Sequence, residues 1–175
     1  VNERLFDIIR LIKDEYKIVL VTTASKKNTE EILKYTKKIE LFDDIITADD
    51  ISKPKPDPEG FNLAIQRFNV DPKNAIIFDD EIDTAGSMME TVRVLKEYGA
   101  EAIYAGCTHG VLSGPAIERI QNSPIKELVI TNTIPLSEEK QIPQIKVVSI
   151  APLFAETIKR LNERKPLGEL LKRKN

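Results

Sequence analysis

Short runs of apolar, β-branched residues recur along the whole chain and alternate with stretches of helical periodicity. This alternation restricts the fold more than any other feature of the sequence. The runs cover residues 18–21, 44–47, 75–79, 102–105, 128–130 and 146–149. Both the odd and the even positions along each run are apolar, which is typical of strands buried on both faces of a parallel sheet. Right-handed crossovers through the intervening helices predict a three-layer, doubly wound α/β fold.

The intervening stretches place apolar residues about 3.6 positions apart, as amphipathic helices do. They cover residues 5–12, 32–39, 61–68, 88–95, 116–120 and 153–161. Tyr98-Gly99 is predicted to end a helix, and the proline-rich segment 53–58 to form a rigid loop before a helix that begins at Glu59. No low-complexity linker interrupts the pattern, so we predict that residues 1–175 form a single α/β domain.

Composition excludes several classes of function. The net charge of −2 does not create the positive electrostatic field that would attract nucleic acid or an anionic membrane. No apolar run approaches the length of a membrane span. The single cysteine, Cys107, excludes an intrachain disulfide and fits a reducing, cytoplasmic compartment. The chain begins at Val1 rather than Met, which suggests a fragment or a processed chain.

Residues 79–87 carry the most specific local pattern. An acidic pair follows an apolar run, a short polar loop contains a glycine, and a helical pattern begins near Ser87. Carboxylates can accept hydrogen bonds from vicinal ribose hydroxyls, while backbone N–H groups at a helix start favour a phosphate. The predicted binding residues of this ribose-phosphate loop are Asp79, Asp80, Asp83, Thr84, Ala85, Gly86 and Ser87.

A second candidate phosphate site follows the first predicted strand, in Thr22-Thr23-Ala24-Ser25. Hydroxyl groups between a strand end and a helix N-terminus are well placed to hold a phosphate. The same residues also suit an N-cap for the helix after Ser25, which is common chemistry for Ser and Thr. The residues alone leave both interpretations open.

Taken together, Thr22–Ser25, Ser52–Pro58 and Ile76–Asp80 resemble the haloacid-dehalogenase-like phosphohydrolases, specifically their phosphoglucomutase-like branch, over residues 1–80. The resemblance implies that Thr22 or Thr23 and Lys53 hold a phosphoryl group, and that Asp79 and Asp80 bind Mg²⁺. The nucleophilic aspartate of that family has no counterpart on an earlier strand. Without it no phospho-aspartate forms, so we expect phosphohydrolase activity by that route to be absent.

The segments Asp79–Ser87, Cys107–Ala116 and Thr131–Pro135 resemble the ribose-phosphate pyrophosphokinases, which have a phosphoribosyltransferase fold, over residues 76–161. The resemblance implies binding of ribose 5-phosphate at residues 79–87, with ATP as the other substrate. Only the C-terminal half of that family is matched, and the half that supplies most of the ATP site has no counterpart. His109 is either a general base or a structural hydrogen-bonding group, and Cys107 is expected to be a small buried residue.

Two resemblances that meet at Asp79-Asp80 suggest a chimera, engineered or recombined, with halves 1–79 and 80–175. Such a chain would lack a complete active site and retain at most phosphate or ribose 5-phosphate binding. The alternative is a working enzyme, either a pyrophosphokinase-type transferase or a Mg²⁺-dependent phosphatase. Apolar remnants of a lost interface could drive oligomer formation.

The missing phosphohydrolase strand would have lain between the strands that precede Thr22 and Asp79. Its absence predicts a flavodoxin-like, Rossmann-like strand order 2-1-3-4-5, with residues 145–149 as a sixth edge strand. Ligands bind such sheets at the switch point of the strand order. We therefore expect Thr22–Ser25 and Asp79–Ser87 to face one crevice.

Overall fold

A computed structural model describes residue 6 and residues 9–10, 12–55, 57–68 and 73–168. The strands are β1 (Val19–Val21), β2 (Asp44–Ile46), β3 (Asn74–Ile82), β4 (Ala102–Gly110), β5 (Ile125–Thr131) and β6 (Ile145–Val148). The helices are α1 (Lys26–Tyr35), α2 (Glu59–Phe68), α3 (Gly86–Glu97), α4 (Ala116–Gln121) and α5 (Ala151–Asn162). Strands and helices thus alternate as predicted, and the α/β class is confirmed. No helix in the described part of the chain is long and apolar enough to cross a membrane.

All strand pairings are parallel, and they form two sheets. One sheet contains β1 and β2, and the other has the order β3-β4-β5-β6. The predicted order also requires strand 1 beside strand 3, and that pairing is absent from the hydrogen-bonded ladders of the described residues. β1 is only three residues long, so its ladder to β2 is short.

Two compact units divide the chain: Val1–Ser52 with Ala151–Asn175, and Lys53–Ile150. We call them unit 1 and unit 2. Neither boundary falls at residues 79/80, because β3 continues through that position. The single domain 1–175 therefore stays a prediction.

Unit 1 contains the β1–β2 sheet, α1 and α5. Leu33, Leu41 and Ile46 are its buried apolar side chains in the region of α1 and β2. Asp43 connects the two strands, because its Oδ2 accepts a hydrogen bond of 2.9 Å from the Ile18 N–H. The amphipathic helix predicted over residues 5–12 lies partly outside the described residues.

Unit 2 has a larger core, which α3 and α4 form with one face of the four-stranded sheet. Its buried residues are Ile82, Ala85, Met88, Val92, Ala100, Ile103, Ala105, Cys107, Leu112, Ala116, Ile120, Ile125, Leu128, Ile130 and Ile145. On the opposite face of the sheet, Ile76 and Phe78 are 44% and 68% exposed. The prediction that β3 is buried on both faces is therefore wrong, since side chains alternate along a strand and only Ile77, between these two, packs against the core.

The ends of two strands also differ from the prediction. β3 extends to Ile82 and β4 to Gly110, and the ladder between them still pairs Glu81 with His109. Asp79 ends the predicted strand 75–79, and the residues from Asp80 to Ile82, which the prediction placed beyond it, also belong to β3. The predicted helix end at Tyr98-Gly99 is confirmed, because Tyr98 is the C-cap and Gly99 has φ 92°.

Candidate functional site

The carboxyl ends of β3, β4 and β5 meet at one edge of the unit 2 sheet. This edge carries polar residues after each strand, because parallel strands all end on the same side. β3 is followed by the turn 83–85, β4 ends in Thr108-His109-Gly110, and β5 leads into Thr131-Asn132-Thr133. The predicted ribose-phosphate residues 79–87 therefore lie beside two of the motifs that carried the resemblance.

The turn between β3 and α3 is short and has a constrained backbone. Ala85 adopts a left-handed conformation (φ 60°, ψ 16°) and is the N-cap of α3. This conformation is unfavourable for a residue with a Cβ, yet the Ala85 side chain is buried. The Ala85 methyl group belongs to the unit 2 core, and α3 begins at the next residue, Gly86.

The N-terminus of α3 has no side-chain cap among the described residues and no acidic residue in its first turn. The N–H groups at a helix start lack intrahelical partners and carry partial positive charge. An anion is the ligand that such a helix start accepts most readily. The turn 83–85 therefore leads into a helix start at Gly86 and Ser87 that no side chain among the described residues caps.

The segment that follows β4 holds the turn from one side. The carbonyl oxygens of Ile82 and Asp83 accept hydrogen bonds of 3.0 Å from the N–H groups of Leu112 and Ser113. The Thr84 carbonyl accepts a bond of 2.7 Å from Nη1 of Arg119. The Ser113 hydroxyl also donates to the Asp83 carboxylate.

Sequence reasoning missed Ser113 and Arg119 as parts of this site. Ser113 lies inside the quoted motif Cys107–Ala116 but carried no assigned role, and Arg119 lies beyond its end. A hydrogen bond from a side chain to a backbone carbonyl 35 positions away leaves no local pattern in the sequence.

The environment of the acidic pair Asp79-Asp80 in β3 makes ionisation of Asp79 less favourable. Desolvation raises the pKa of the Asp79 carboxyl, and the side-chain hydrogen bond with Asp80 and the charge of Asp80 add to this effect, whereas the charge of Lys55 and the hydrogen bond from the Asp80 N–H oppose it. The Asp80 N–H also donates to Oδ1 of Asp79 at 3.0 Å. Such a pair favours a ligand that brings positive charge or hydrogen-bond donors.

Lys53, the predicted phosphoryl-binding lysine, lies 3.9 Å from the Asp57 carboxylate through its Nζ. Its backbone N–H donates to Oε2 of Glu59 at 2.7 Å. Lys55, which the prediction passed over, is the lysine whose charge acts on Asp79, and its Nζ lies 5.2 Å from the centre of the Phe61 ring. A phosphoryl-binding role for Lys53 stays a prediction.

Thr22 and Thr23 belong to unit 1, where their segment forms a helix start. Oγ1 of Thr22 accepts a hydrogen bond of 3.2 Å from the Ala24 N–H, and Ser25 is the N-cap of α1. Oδ2 of Asp49 accepts a bond of 2.6 Å from the Lys26 N–H. Ser25 therefore has the predicted N-cap role, whereas phosphate binding by Thr22 and Thr23 stays a prediction.

Cys107 and His109 lie near the end of β4. Cys107 is a free, buried cysteine, and burial, with the charges of Asp79 and Asp80, raises the pKa of its thiol to about 11. A neutral thiol is a poor nucleophile. Nδ1 of His109 lies 3.0 Å from the Thr133 hydroxyl, which itself donates to the Thr108 carbonyl at 2.9 Å.

No group of three or more His, Cys, Asp and Glu side chains suited to a metal ion occurs within the described ranges. Asp79 and Asp80 offer carboxylate oxygens, the ligand type that Mg²⁺ prefers. Mg²⁺ commonly binds one or two carboxylates together with substrate phosphates rather than a protein cage. The pair fits that second mode of binding.

Residues 38–172 match the phosphoribosyl synthetase-associated domain. The chain belongs to this family. It is similar to the ribose-phosphate pyrophosphokinases of Clostridium acetobutylicum (49% identical over 120 residues, 69% of this chain and 38% of the relative) and Caldanaerobacter subterraneus (58% over 102 residues, 58% and 32%). The chain thus spans about a third of the curated relatives that it matches.

Two solved structures are also similar. Phosphoribosylpyrophosphate synthetase from Mycobacterium smegmatis has a TM-score of 0.58 and 28% identity, covering 93% of this chain and 51% of that one. A putative beta-phosphoglucomutase from Thermotoga maritima has a TM-score of 0.50 and 25% identity, covering 71% and 53%. Both resemblances stated from the sequence therefore have a structural counterpart.

The family match begins at residue 38 and so crosses the predicted boundary at residues 79/80. The comparisons give no support to an engineered origin or to a chimera divided at that point. They favour the pyrophosphokinase interpretation, which the sequence had placed second.

Proposed function

We propose that unit 2 is the sugar-phosphate-binding part of a ribose-phosphate pyrophosphokinase-type transferase. The observation that carries this proposal is the uncapped start of α3 next to the exposed acidic pair of β3. Relatives that share about half of the matched residues are ribose-phosphate pyrophosphokinases. The activity that names these relatives supports ribose 5-phosphate as the ligand.

In this proposal the backbone of the turn and the start of α3 bind the 5-phosphate. The N–H groups of Thr84 to Ser87 donate to phosphate oxygens, and the helix dipole favours the negative charge. The carboxylates of Asp79 and Asp80 accept hydrogen bonds from the ribose hydroxyls. Mg²⁺, when bound by this pair and by phosphate oxygens, would neutralise charge during transfer.

The alternative phosphate site at Thr22–Ser25 has weaker support. There Ser25 caps α1 and Asp49 already accepts a hydrogen bond from the helix start. An incoming phosphate would have to displace this carboxylate, whereas no side chain among the described residues caps α3. We therefore assign the sugar phosphate to residues 79–87.

Calorimetric titration of the chain with ribose 5-phosphate, with and without Mg²⁺, tests this assignment. Asp80→Asn should weaken binding about tenfold, since hydrogen bonds to charged groups contribute about 1.5–3 kcal/mol. Asp49→Asn is the matched control, because it makes the same change beside α1, and it should leave the affinity unchanged. Equal affinities of the two variants, or no binding at millimolar ligand by a folded chain, would contradict the proposal.

Turnover is tested separately by AMP release from ATP in the presence of ribose 5-phosphate and Mg²⁺. The resemblance places most of the ATP site in a half that this chain does not match. We therefore expect binding of ribose 5-phosphate without AMP release by this chain alone. AMP release that Asp80→Asn reduces would instead support a working transferase.

A further inference from the structure

We infer that Arg119 and Ser113 are positioning residues for the sugar-phosphate turn: they hold its carbonyl groups on one side, so that its N–H groups point to the ligand. The inference rests on the proposed function. It assigns a role to two residues that lie outside the turn itself.

Three consecutive carbonyl groups of the turn are hydrogen-bonded to the segment 112–119. Ile82, Asp83 and Thr84 are consecutive, and their carbonyl oxygens accept bonds from Leu112, Ser113 and Arg119 respectively. This series covers the whole connection between the end of β3 and the left-handed N-cap of α3. Backbone donors of Leu112 and Ser113 supply two of the bonds, and a side chain supplies the third.

The directions of these carbonyl groups also fix the directions of the N–H groups in the turn. In a planar trans peptide, the N–H of one residue points opposite to the C=O of the residue before it. With the Ile82, Asp83 and Thr84 carbonyls directed at the 112–119 segment, the N–H groups of Asp83, Thr84 and Ala85 point away from it. These N–H groups join those at the start of α3 as donors for one anion.

The guanidinium group of Arg119 also brings a positive charge to the start of α3. Nη1 of Arg119 lies 3.7 Å from the position that a Cβ on Gly86 would occupy, so the guanidinium group stands beside the first residue of α3. A cation at a helix N-terminus is unfavourable with respect to the helix dipole. The same cation adds positive potential where the phosphate would bind, and a ligand anion would offset the cost.

Ser113 contributes twice. Its N–H donates to the Asp83 carbonyl, and its hydroxyl donates to the Asp83 carboxylate. These two bonds fix the exposed side chain of Asp83 against Ser113 and order the first residue of the turn. The predicted ligand residue Asp83 is therefore a bonding partner of the 112–119 segment.

The test compares Arg119→Ala with Arg93→Ala. Arg93 is a matched control, because it is an exposed arginine that pairs with Glu90 and Glu97 on α3 and not with the turn. Affinity for ribose 5-phosphate is measured by calorimetry, and amide hydrogen exchange of residues 82–88 is measured without ligand. Thermal unfolding of each variant shows whether the fold is intact.

We expect Arg119→Ala to weaken ribose 5-phosphate binding about tenfold, to increase exchange in residues 82–88, and to lower the melting temperature no more than Arg93→Ala does. Low millimolar guanidinium chloride should restore binding to Arg119→Ala but should not improve binding by Arg93→Ala.

Arg119→Lys should retain part of the affinity, since lysine keeps a charged donor but not the planar fork. Ser113→Ala should weaken binding in the same direction.

Unchanged affinity and unchanged exchange in Arg119→Ala would overturn the inference. If the wild-type chain does not bind ribose 5-phosphate, the proposed function fails, and the exchange data alone decide whether Arg119 and Ser113 order the turn. Faster exchange of residues 82–88 in Arg119→Ala would then still support the positioning role, and equal exchange would overturn it.

Discussion

At the scale of single residues, Asp79 shows how a carboxylate on a strand can oppose stability. Asp79 has a raised pKa, so its ionisation costs folding free energy. The stability that this group contributes is fully present below its ordinary value of 3.8 and is lost as the pH rises through the raised folded value.

Asp79→Asn should therefore raise the urea midpoint of the chain at pH 7 in metal-free buffer, because the amide cannot ionise. The gain should shrink as the pH falls below 3.8, where Asp79 is protonated in both states. Urea unfolding at pH 7 and pH 3 measures both effects. Glu101→Gln, which removes an exposed carboxylate outside the site, is the control, and a midpoint lowered by Asp79→Asn would contradict the prediction.

Gly110 ends β4 where space is limited. A Cβ there would lie 3.0 Å from Cδ1 and 3.4 Å from Cγ2 of Ile130, and Ile130 is fully buried. Gly110→Ala should destabilise the chain by about 1–3 kcal/mol, since a packed core relaxes only partly. Gly86→Ala is the control, because the atoms nearest to its Cβ lie at 3.7 Å. Equal free energies of unfolding would refute the packing argument.

At the scale of elements, the sequence predicted which segments form strands and helices better than where they end. Apolar runs located all six strands, and Glu59 correctly marked a helix start. β3 and β4 extend into polar residues because the ladder is made by backbone groups, which pair Glu81 with His109 regardless of side-chain polarity. The positioning bond from Arg119 to the Thr84 carbonyl could not be predicted, since it depends on how α4 packs beside the turn.

The β1–β2 pair depends on one carboxylate. Partial burial of Asp43 opposes its ionisation, but hydrogen bonds from the Ile18 N–H and Lys17 lower its pKa overall. The stability from Asp43 is therefore present above its ordinary value of 3.8 and is lost as the pH falls through the lowered folded value.

Asp43→Asn should destabilise the chain by about 1 kcal/mol at pH 7, because the amide has one acceptor oxygen in place of the two that accept from the Ile18 N–H and from Lys17, and the loss of one hydrogen bond costs about that much. Its effect should diminish in acid, as wild-type Asp43 becomes protonated. Lys17→Gln is the control, since the Lys17 side chain is 58% exposed and an exposed ion pair contributes little. Chemical unfolding between pH 3 and pH 7 makes the comparison, and a pH-independent difference would show that charge on Asp43 has no role.

At the scale of the whole molecule, the chain has two compact units with unequal cores. The fully buried side chains Ile103, Leu128 and Ile130 lie on β4 and β5, which are paired on both edges. Unit 1 has a two-stranded sheet, and such small sheets are marginal without additional packing. Whether residues 1–175 behave as one domain is therefore a question of cooperativity.

Native-state hydrogen exchange should divide the chain into two stability classes. Amides of β4 and β5 should exchange only through global unfolding, because central strands open last. Amides of α1 should exchange through a smaller opening of unit 1, at a free energy lower by more than about 1 kcal/mol. Leu128→Ala, which removes a fully buried side chain in unit 2, should reduce the protection of β4 and β5 by about 2–5 kcal/mol and that of α1 by less. Equal protection in both units, falling equally in Leu128→Ala, would instead show that the chain unfolds as a single domain.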